Sequence, residues 1–176
     1  VRERTQYMVE IAEKALALVP ASNPKDGFRR YVKKEPLGVV MVIAPWNYPY
    51  LTAVNSIIPA LMAGNSVILK HATQTLLVGE RFARAFEIAG LPSGLFQNLV
   101  MDHAQTARMI GSGRVQQVNF TGSVAGGRAI EAAASAEAMA ATLPVVTRRR
   151  TNSAPARNAS AASAADSTRI SGVKKP

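Results

Sequence analysis

Four short apolar runs, each followed within a few residues by a helical pattern, limit the architectures open to this chain. Gly38–Ile43, Ser66–Lys70, Phe96–Val100 and Val115–Phe120 read as strands, and Thr52–Ala63, Thr75–Ala89, Ala104–Gly111 and Ser123–Met139 as helices. Strands alternating with helices over short connections imply a mostly parallel α/β sheet, because each parallel pair needs a crossover and a helix supplies it. The punctuation agrees with this. Gly64-Asn65 closes the first of these helices as a C-cap, and Gly90 and Pro92 close the second. Pro59 lies inside the first and should kink it. Ahead of the alternation, Tyr7, Met8, Ile11, Ala15 and Leu16 recur at helical spacing within Val1–Val19. Pro20–Lys34 is a turn-rich connection; Asp26-Gly27 marks a turn, and Phe28–Lys33 could pair as a short edge strand.

Beyond residue 140 the character changes. Leu143-Pro144-Val145-Val146 is the last apolar cluster, and the stretch that follows is Ala, Ser, Thr, Arg and Asn without aromatics or periodicity. Such a composition buries too little apolar area to offset its ordering entropy. The formal net charge of +10 is concentrated here, where Arg148, Arg149, Arg150, Arg157, Arg169, Lys174 and Lys175 face Asp166 alone. A nucleic-acid binder would set stacking aromatics among such cations, and this segment has none, so no nucleic-acid partner is favoured. No apolar run reaches the 18 residues or so that a membrane span needs. The charged N-terminus is no secretory signal, so a cytoplasmic location is expected. Histidines 32 positions apart, with no cysteine anywhere, form no metal site.

Three strand ends carry chemistry. The first strand runs into Ile43-Ala44-Pro45-Trp46-Asn47-Tyr48-Pro49. Two prolines fix φ there, and the residue before each is pushed towards extended geometry. A loop this stiff suits a backbone and a side-chain amide that must be held still to stabilise a developing oxyanion. The second strand ends in Lys70, a cation where open α/β sheets bind ligands. The last strand leads into Phe120-Thr121-Gly122-Ser123, whose glycine and serine open a helix N-terminus, a place that favours anions.

These segments, with Pro36-Leu37-Gly38-Val39-Val40, Pro59-Ala60-Leu61-Met62-Ala63-Gly64-Asn65 and Gly90-Leu91-Pro92-Ser93-Gly94, resemble the cofactor-binding domain of the aldehyde dehydrogenase superfamily from about Val1 to about Ala138. The resemblance implies a partial doubly wound, Rossmann-like sheet. It divides the chain into an N-terminal helix and connection (1–35), an incomplete NAD(P)-binding domain (36–140) and a basic, disordered or out-of-frame tail (141–176). By the same resemblance Asn47 donates its amide to the oxyanion, and Lys70 binds the adenosine ribose of NAD or NADP. Thr73 stands where many NAD-preferring members carry a glutamate, which implies tolerance of NADP. Gly122 and Ser123 match the pyrophosphate turn, preceded by Phe120; Gly127 would allow close helix packing. Ile43, Ala44, Pro45 and Trp46 would border the nicotinamide cleft. Asp102 and His103 depart from the family's usual loop near the adenine, and His71 reads as family variation rather than a base.

The implied reaction is NAD(P)-dependent oxidation of an aldehyde to a carboxylic acid, in a family of homo-oligomers. Its nucleophile is a cysteine, absent from these 176 residues, and its general-base glutamate should follow soon after residue 140 and does not. With no Met at position 1, this leads us to expect a fragment whose frame changes near residues 137–142; a naturally short protein is the alternative. The chain alone is then expected to be inactive. Two rival functions follow, a nucleotide-binding module without catalysis and a basic-tailed nucleic-acid binder.

Overall fold

The computed structural model describes residues 1–23, 27, 29–138 and 146–147. A first helix, α1 (Arg2–Leu16), precedes a two-stranded antiparallel pair, β1 (Val19–Pro20) with β2 (Tyr31–Val32). The βα alternation follows: β3 (Val39–Ala44), α2 (Pro49–Met62), β4 (Ser66–His71), a short 3-10 turn (Thr73–Thr75) and α3 (Leu76–Ile88). Next come β5 (Phe96–Asn98), α4 (His103–Ile110), β6 (Gln117–Phe120), α5 (Val124–Ala138) and β7 (Val146–Thr147).

Strands β3 to β7 make one sheet in the order β5-β4-β3-β6-β7, with every pair parallel. The chain starts in the middle, adds two strands to one side, then crosses back and adds two to the other. This is the doubly wound pattern expected from the sequence, with its topological switch point between β3 and β6. β7 extends the sheet past the 36–140 segment that the sequence suggested; the remainder of 141–176 lies outside the described residues.

β3 is apolar throughout because it is covered on both faces. Val40, Val42 and Ala44 pack with Ala53, Val54 and Ile57 of α2 and with Val78 and Phe82 of α3. Met41 and Ile43 point the other way, into a layer with Ile110, Val118, Ile130 and Ala134. Met8 of α1 adds to the first layer.

One expectation about α2 needs correction. It begins at Pro49 rather than Thr52, with the proline at the first helical position. There the missing N–H costs nothing and φ is already helical. Pro59 lies within the helix, which continues to Met62. Its end is a Schellman motif: Gly64 at φ +83 donates to the Leu61 carbonyl, and Asn65 N–H donates to the Ala60 carbonyl.

Asn65, 6% exposed, does more than follow a cap. Its Oδ1 accepts from Leu37 N at 2.6 Å and from Gly38 N at 3.0 Å, and its Nδ2 donates to the Ala60 carbonyl at 3.0 Å. The end of α2 is thereby tied to the entry of β3. Replacing Asn65 with alanine strands the amide donors of Leu37 and Gly38, while the Ala60 carbonyl keeps the backbone N–H of residue 65, so we expect a loss of about 2–3 kcal/mol in urea-induced unfolding. A loss below about 0.5 kcal/mol, half of what one ordinary hydrogen bond contributes, would show that this knot is not structural.

Candidate functional site

In a parallel sheet all strand C-termini share an edge, and the register here aligns them closely. Ile43 of β3 pairs with Lys70 of β4 on one side and with Phe120 of β6 on the other. At the usual strand spacing Lys70 and Phe120 are roughly 10 Å apart across β3. From this row the chain leaves by three turns. Pro45 to Tyr48 leads to α2, Ala72 to Thr75 leads to α3, and Thr121 to Ser123 leads to α5. The first and last of these flank the switch point, where doubly wound sheets open a crevice.

The turns are stitched to the sheet. Thr121 N–H donates to the Ile43 carbonyl at 3.0 Å, and Ala72 N–H donates to the Ala44 carbonyl at 3.1 Å. The side chains of Ile43 and Ala44 are buried in the core, so only their backbone borders the edge. Pro45 is half-buried.

Tyr48 adopts the left-handed conformation, φ +52 and ψ +48, instead of the extended geometry that a following proline favours. Among the described residues it is the sole non-glycine with positive φ. The reversal turns the chain from β3 directly into α2 and leaves Trp46, Asn47 and Tyr48 exposed. The helix cap is Tyr48, with no side-chain cap bond, so Asn47 does not cap α2. The Asn47 amide has no hydrogen-bond partner among the described residues and faces solvent.

Lys70 is buried to 7% exposure at the strand end. No carboxylate pairs with it among the described residues. Burial alone pushes its ammonium below the ordinary lysine value, because a low-dielectric setting disfavours the charged form. An uncompensated, half-desolvated cation gains from an arriving hydrogen-bond acceptor. Thr73 opens the 3-10 turn and is exposed, its hydroxyl 3.3 Å from Gln74 Oε1.

Ser123 caps α5: its Oγ accepts from Gly126 N at 3.1 Å, and its carbonyl from Gly127 N at 2.9 Å. The amides of Val124 and Ala125 precede the first intrahelical bond and lie in an exposed turn. That leaves two outward N–H donors and the positive end of a 15-residue helix for an anion. The packing requirement falls on different glycines from the one the sequence suggested. A Cβ at Gly122 would come within 2.6 Å of the Phe120 ring and one at Gly126 within 2.8 Å, but one at Gly127 only within 3.7 Å, an ordinary contact. The Phe120 ring thus leaves no room for a side chain at Gly122 or Gly126. Gly126 was missed because GSVAGG offers adjacent glycines, and only the ring position separates them.

Asp102 has a structural explanation. Asp102 Oδ1 accepts from Gln105 N at 2.6 Å while Gln105 Oε1 accepts from Asp102 N at 2.9 Å, a capping box for α4. His103 is exposed. His71 is a different matter: it is 2% exposed and sits in the sheet beside Ala44. Sequence reasoning gave it no role. Among the described residues no three His, Asp or Glu gather as a metal site, and no helix is long and apolar enough to cross a membrane.

Comparison with known proteins gives this edge a lineage. The sequence profile of the aldehyde dehydrogenase family matches residues 1–145, several residues beyond the point where the motifs stop. An aldehyde dehydrogenase of Paenarthrobacter nicotinovorans is 42% identical over 120 residues, covering 66% of this chain and 25% of that protein. An NADP(+)-dependent succinate-semialdehyde dehydrogenase of Mycobacterium avium is 38% identical over 133 residues, covering 75% and 28%. The crystal structure of succinic semialdehyde dehydrogenase from Streptococcus pyogenes with NADP+ superposes with a TM-score of 0.72 at 28% identity, covering 80% of this chain and 30% of that one. The chain therefore spans between a quarter and a third of the length of these proteins. With a profile match over most of its length and a shared doubly wound sheet, the chain belongs to the aldehyde dehydrogenase family.

Proposed function

We propose that this chain is the dinucleotide-binding part of an NAD(P)-dependent enzyme that oxidises an aldehyde to a carboxylic acid. The observation that carries the reading is the row Lys70–Ile43–Phe120, which sets a buried cation, an exposed amide and a helix N-terminus along one edge of the sheet. The donor set fits a dinucleotide. Two free amides and a helix dipole at Ser123–Ala125 suit a pyrophosphate. A lysine with no competing carboxylate suits ribose hydroxyls, and Thr73 offers a small hydroxyl where a 2′-phosphate meets no negative charge. NADP is accordingly the expected cofactor, with NAD as the alternative.

In this reading Ser123, Gly122 and the α5 amides hold the pyrophosphate, with Phe120 shaping the turn beneath it. Lys70 and Thr73 orient the adenosine end. The backbone at Ile43, Ala44 and Pro45, with Trp46, limits the crevice on the nicotinamide side. When bound, the nicotinamide supplies the hydride acceptor. Asn47 donates its amide to the oxygen that becomes negative when a nucleophile adds to the aldehyde carbon. A donor preset for that oxygen contributes on the order of 3 kcal/mol to such a step. The nucleophile is not among these 176 residues, which contain no cysteine. The chain by itself therefore binds without turning over, and homo-oligomerisation, a cytoplasmic location and the identity of the aldehyde belong to the longer protein of the same reading.

Calorimetric titration of the purified chain with NADP+ and NAD+, followed by incubation with an aldehyde, tests this. Saturable NADP+ binding without NADPH formation is the expected result. Absence of binding to either dinucleotide would contradict the cofactor assignment, and robust NADPH formation would contradict the inactivity.

A further inference from the structure

The central strand β3 carries no register mark of its own. Val39–Ala44 is apolar at every position, so the polar–apolar alternation that usually fixes how strands align is missing from it. Parallel ladder bonds recur every two residues, and moving a neighbouring strand along by two remakes them. Such a slip also keeps Val118 and Phe120 of β6 in their apolar layer, because side chains return to one face with the same period. It would nevertheless displace the turn after β6 by about 7 Å and break up the row Lys70–Ile43–Phe120.

Two side-chain amides stand where the pattern does not repeat. Asn65 immediately precedes β4 and Gln116 immediately precedes β6, the strands on either side of β3. Gln116 engages both main-chain groups of Val39: its Oε1 accepts from Val39 N at 2.7 Å, and its own N–H donates to the Val39 carbonyl at 2.9 Å. Its Nε2 donates to the Gly113 carbonyl at 3.4 Å. On the other flank Asn65 Oδ1 accepts from Leu37 N and Gly38 N, and Ser66 N–H donates to the Gly38 carbonyl at 3.0 Å. Three consecutive N–H groups at the entry to β3 thus end on side chains. Gly38 makes room for this, since its φ is +119 and a Cβ there would lie 2.7 Å from Gln116 Oε1. After a slip of two in either direction, Arg114 or Val118 would replace Gln116, and Ala63 or Val67 would replace Asn65. None of the four has a side-chain acceptor.

We propose that Gln116 is a positioning residue: its side-chain amide fixes the register of β6 on β3, as Asn65 does for β4, and so sets where the Ser123 turn stands against Ile43 and Lys70. A polar group that specifies register in an otherwise uniform apolar contact has its best-attested parallel in the single core Asn of coiled coils. The consequence for cofactor binding rests on the function given above, whereas the register role does not. Gln116 lies at the opposite edge of the sheet from that site and acts through β6.

Interstrand amide–Hα contacts in NOE spectra of the full chain read the register directly. The unmodified chain would be compared with Gln116→Glu, which keeps an acceptor at the same reach, and with Gln116→Leu, which keeps bulk and loses it. In the Leu variant, folded by circular dichroism, the expected result is a population whose β3–β6 contacts are displaced by two residues, with a second set of amide signals for Thr121–Ser123. NADP+ affinity should fall with the displaced fraction, about tenfold when roughly nine molecules in ten have slipped. The Glu variant should keep the contacts, the single signals and the affinity of the unmodified chain. A folded Leu variant with unchanged contacts and one set of signals, or a Glu variant that slips as the Leu variant does, would overturn the proposal. Should the Leu variant fail to fold, a through-hydrogen-bond coupling in the unmodified chain decides: the Val39 amide is expected to couple to the Gln116 side-chain carbonyl, and its absence would overturn the proposal. Displaced contacts together with NADP+ affinity that is indifferent to Lys70 would leave the register role standing and remove the functional reading. Unchanged contacts with affinity that depends on Lys70 would remove only the register role.

Discussion

Replacing Lys70 with methionine is expected to weaken NADP+ binding while leaving the fold intact or slightly firmer. Methionine keeps the apolar stem that Lys70 buries and removes the ammonium. A hydrogen bond from a charged donor is worth about 1.5–3 kcal/mol, or roughly 10- to 100-fold in the dissociation constant. Stability should move the other way. The folded-state pKa of Lys70 is lowered by burial, so between that value and the unfolded lysine value of 10.5 the unfolded chain binds more protons than the folded one. Stability then rises with pH across that window, and below it the protonated lysine is a constant penalty. Removing the charge relieves the penalty at neutral pH and abolishes the alkaline rise. Calorimetric titration and thermal melts at neutral and alkaline pH check both. A methionine variant that binds NADP+ as the parent does would remove Lys70 from the site, and one that melts much earlier would make it a structural residue.

Leu69→Ala should cost the most stability of any single change considered. Leu69 is fully buried in β4, between Val42 of β3 and Asn98 of β5 and beneath the α2–α3 layer. A cavity at such a position costs about 2–5 kcal/mol, set against a total that for ordinary domains is about 5–15 kcal/mol. Because Lys70 is the next residue along β4, loss of strand packing also loosens the cation, and NADP+ affinity should fall with the folded population. Denaturant titration gives the first quantity and calorimetry the second. A Leu69→Ala variant with an unchanged midpoint would mean that the β4 layer is not the core described here.

The strand–helix alternation and the doubly wound sheet were legible because the relevant signals are local: apolar runs of strand length, Gly64 and Gly90 at helix ends, and an amide-rich turn between prolines. The row of Lys70, Ile43 and Phe120 was legible only indirectly, as three motifs that each follow a strand. Three details were hidden because they depend on what lies across space. Tyr48 departs from the pre-proline rule because α2 starts immediately at Pro49. Gly126, rather than Gly127, is constrained by where the Phe120 ring rests. His71 read as family variation because nothing in KHAT reveals that it is buried in the sheet beside Ala44. Strand ends were also read long: β5 stops at Asn98 and β6 begins at Gln117, since Val115 packs from the loop before β6 and Val100 is exposed beyond β5.

Backbone amide spectra recorded during an NADP+ titration test the central claim most directly. The account predicts that shifts concentrate at the C-terminal edge of the sheet, on Lys70, Thr73, Ser123, Val124 and Ala125, with a smaller response at Trp46 and Asn47 across the switch point. Shifts confined to the opposite edge, at Gly38, Ser66 and Phe96, or no saturable shifts at all, would contradict it.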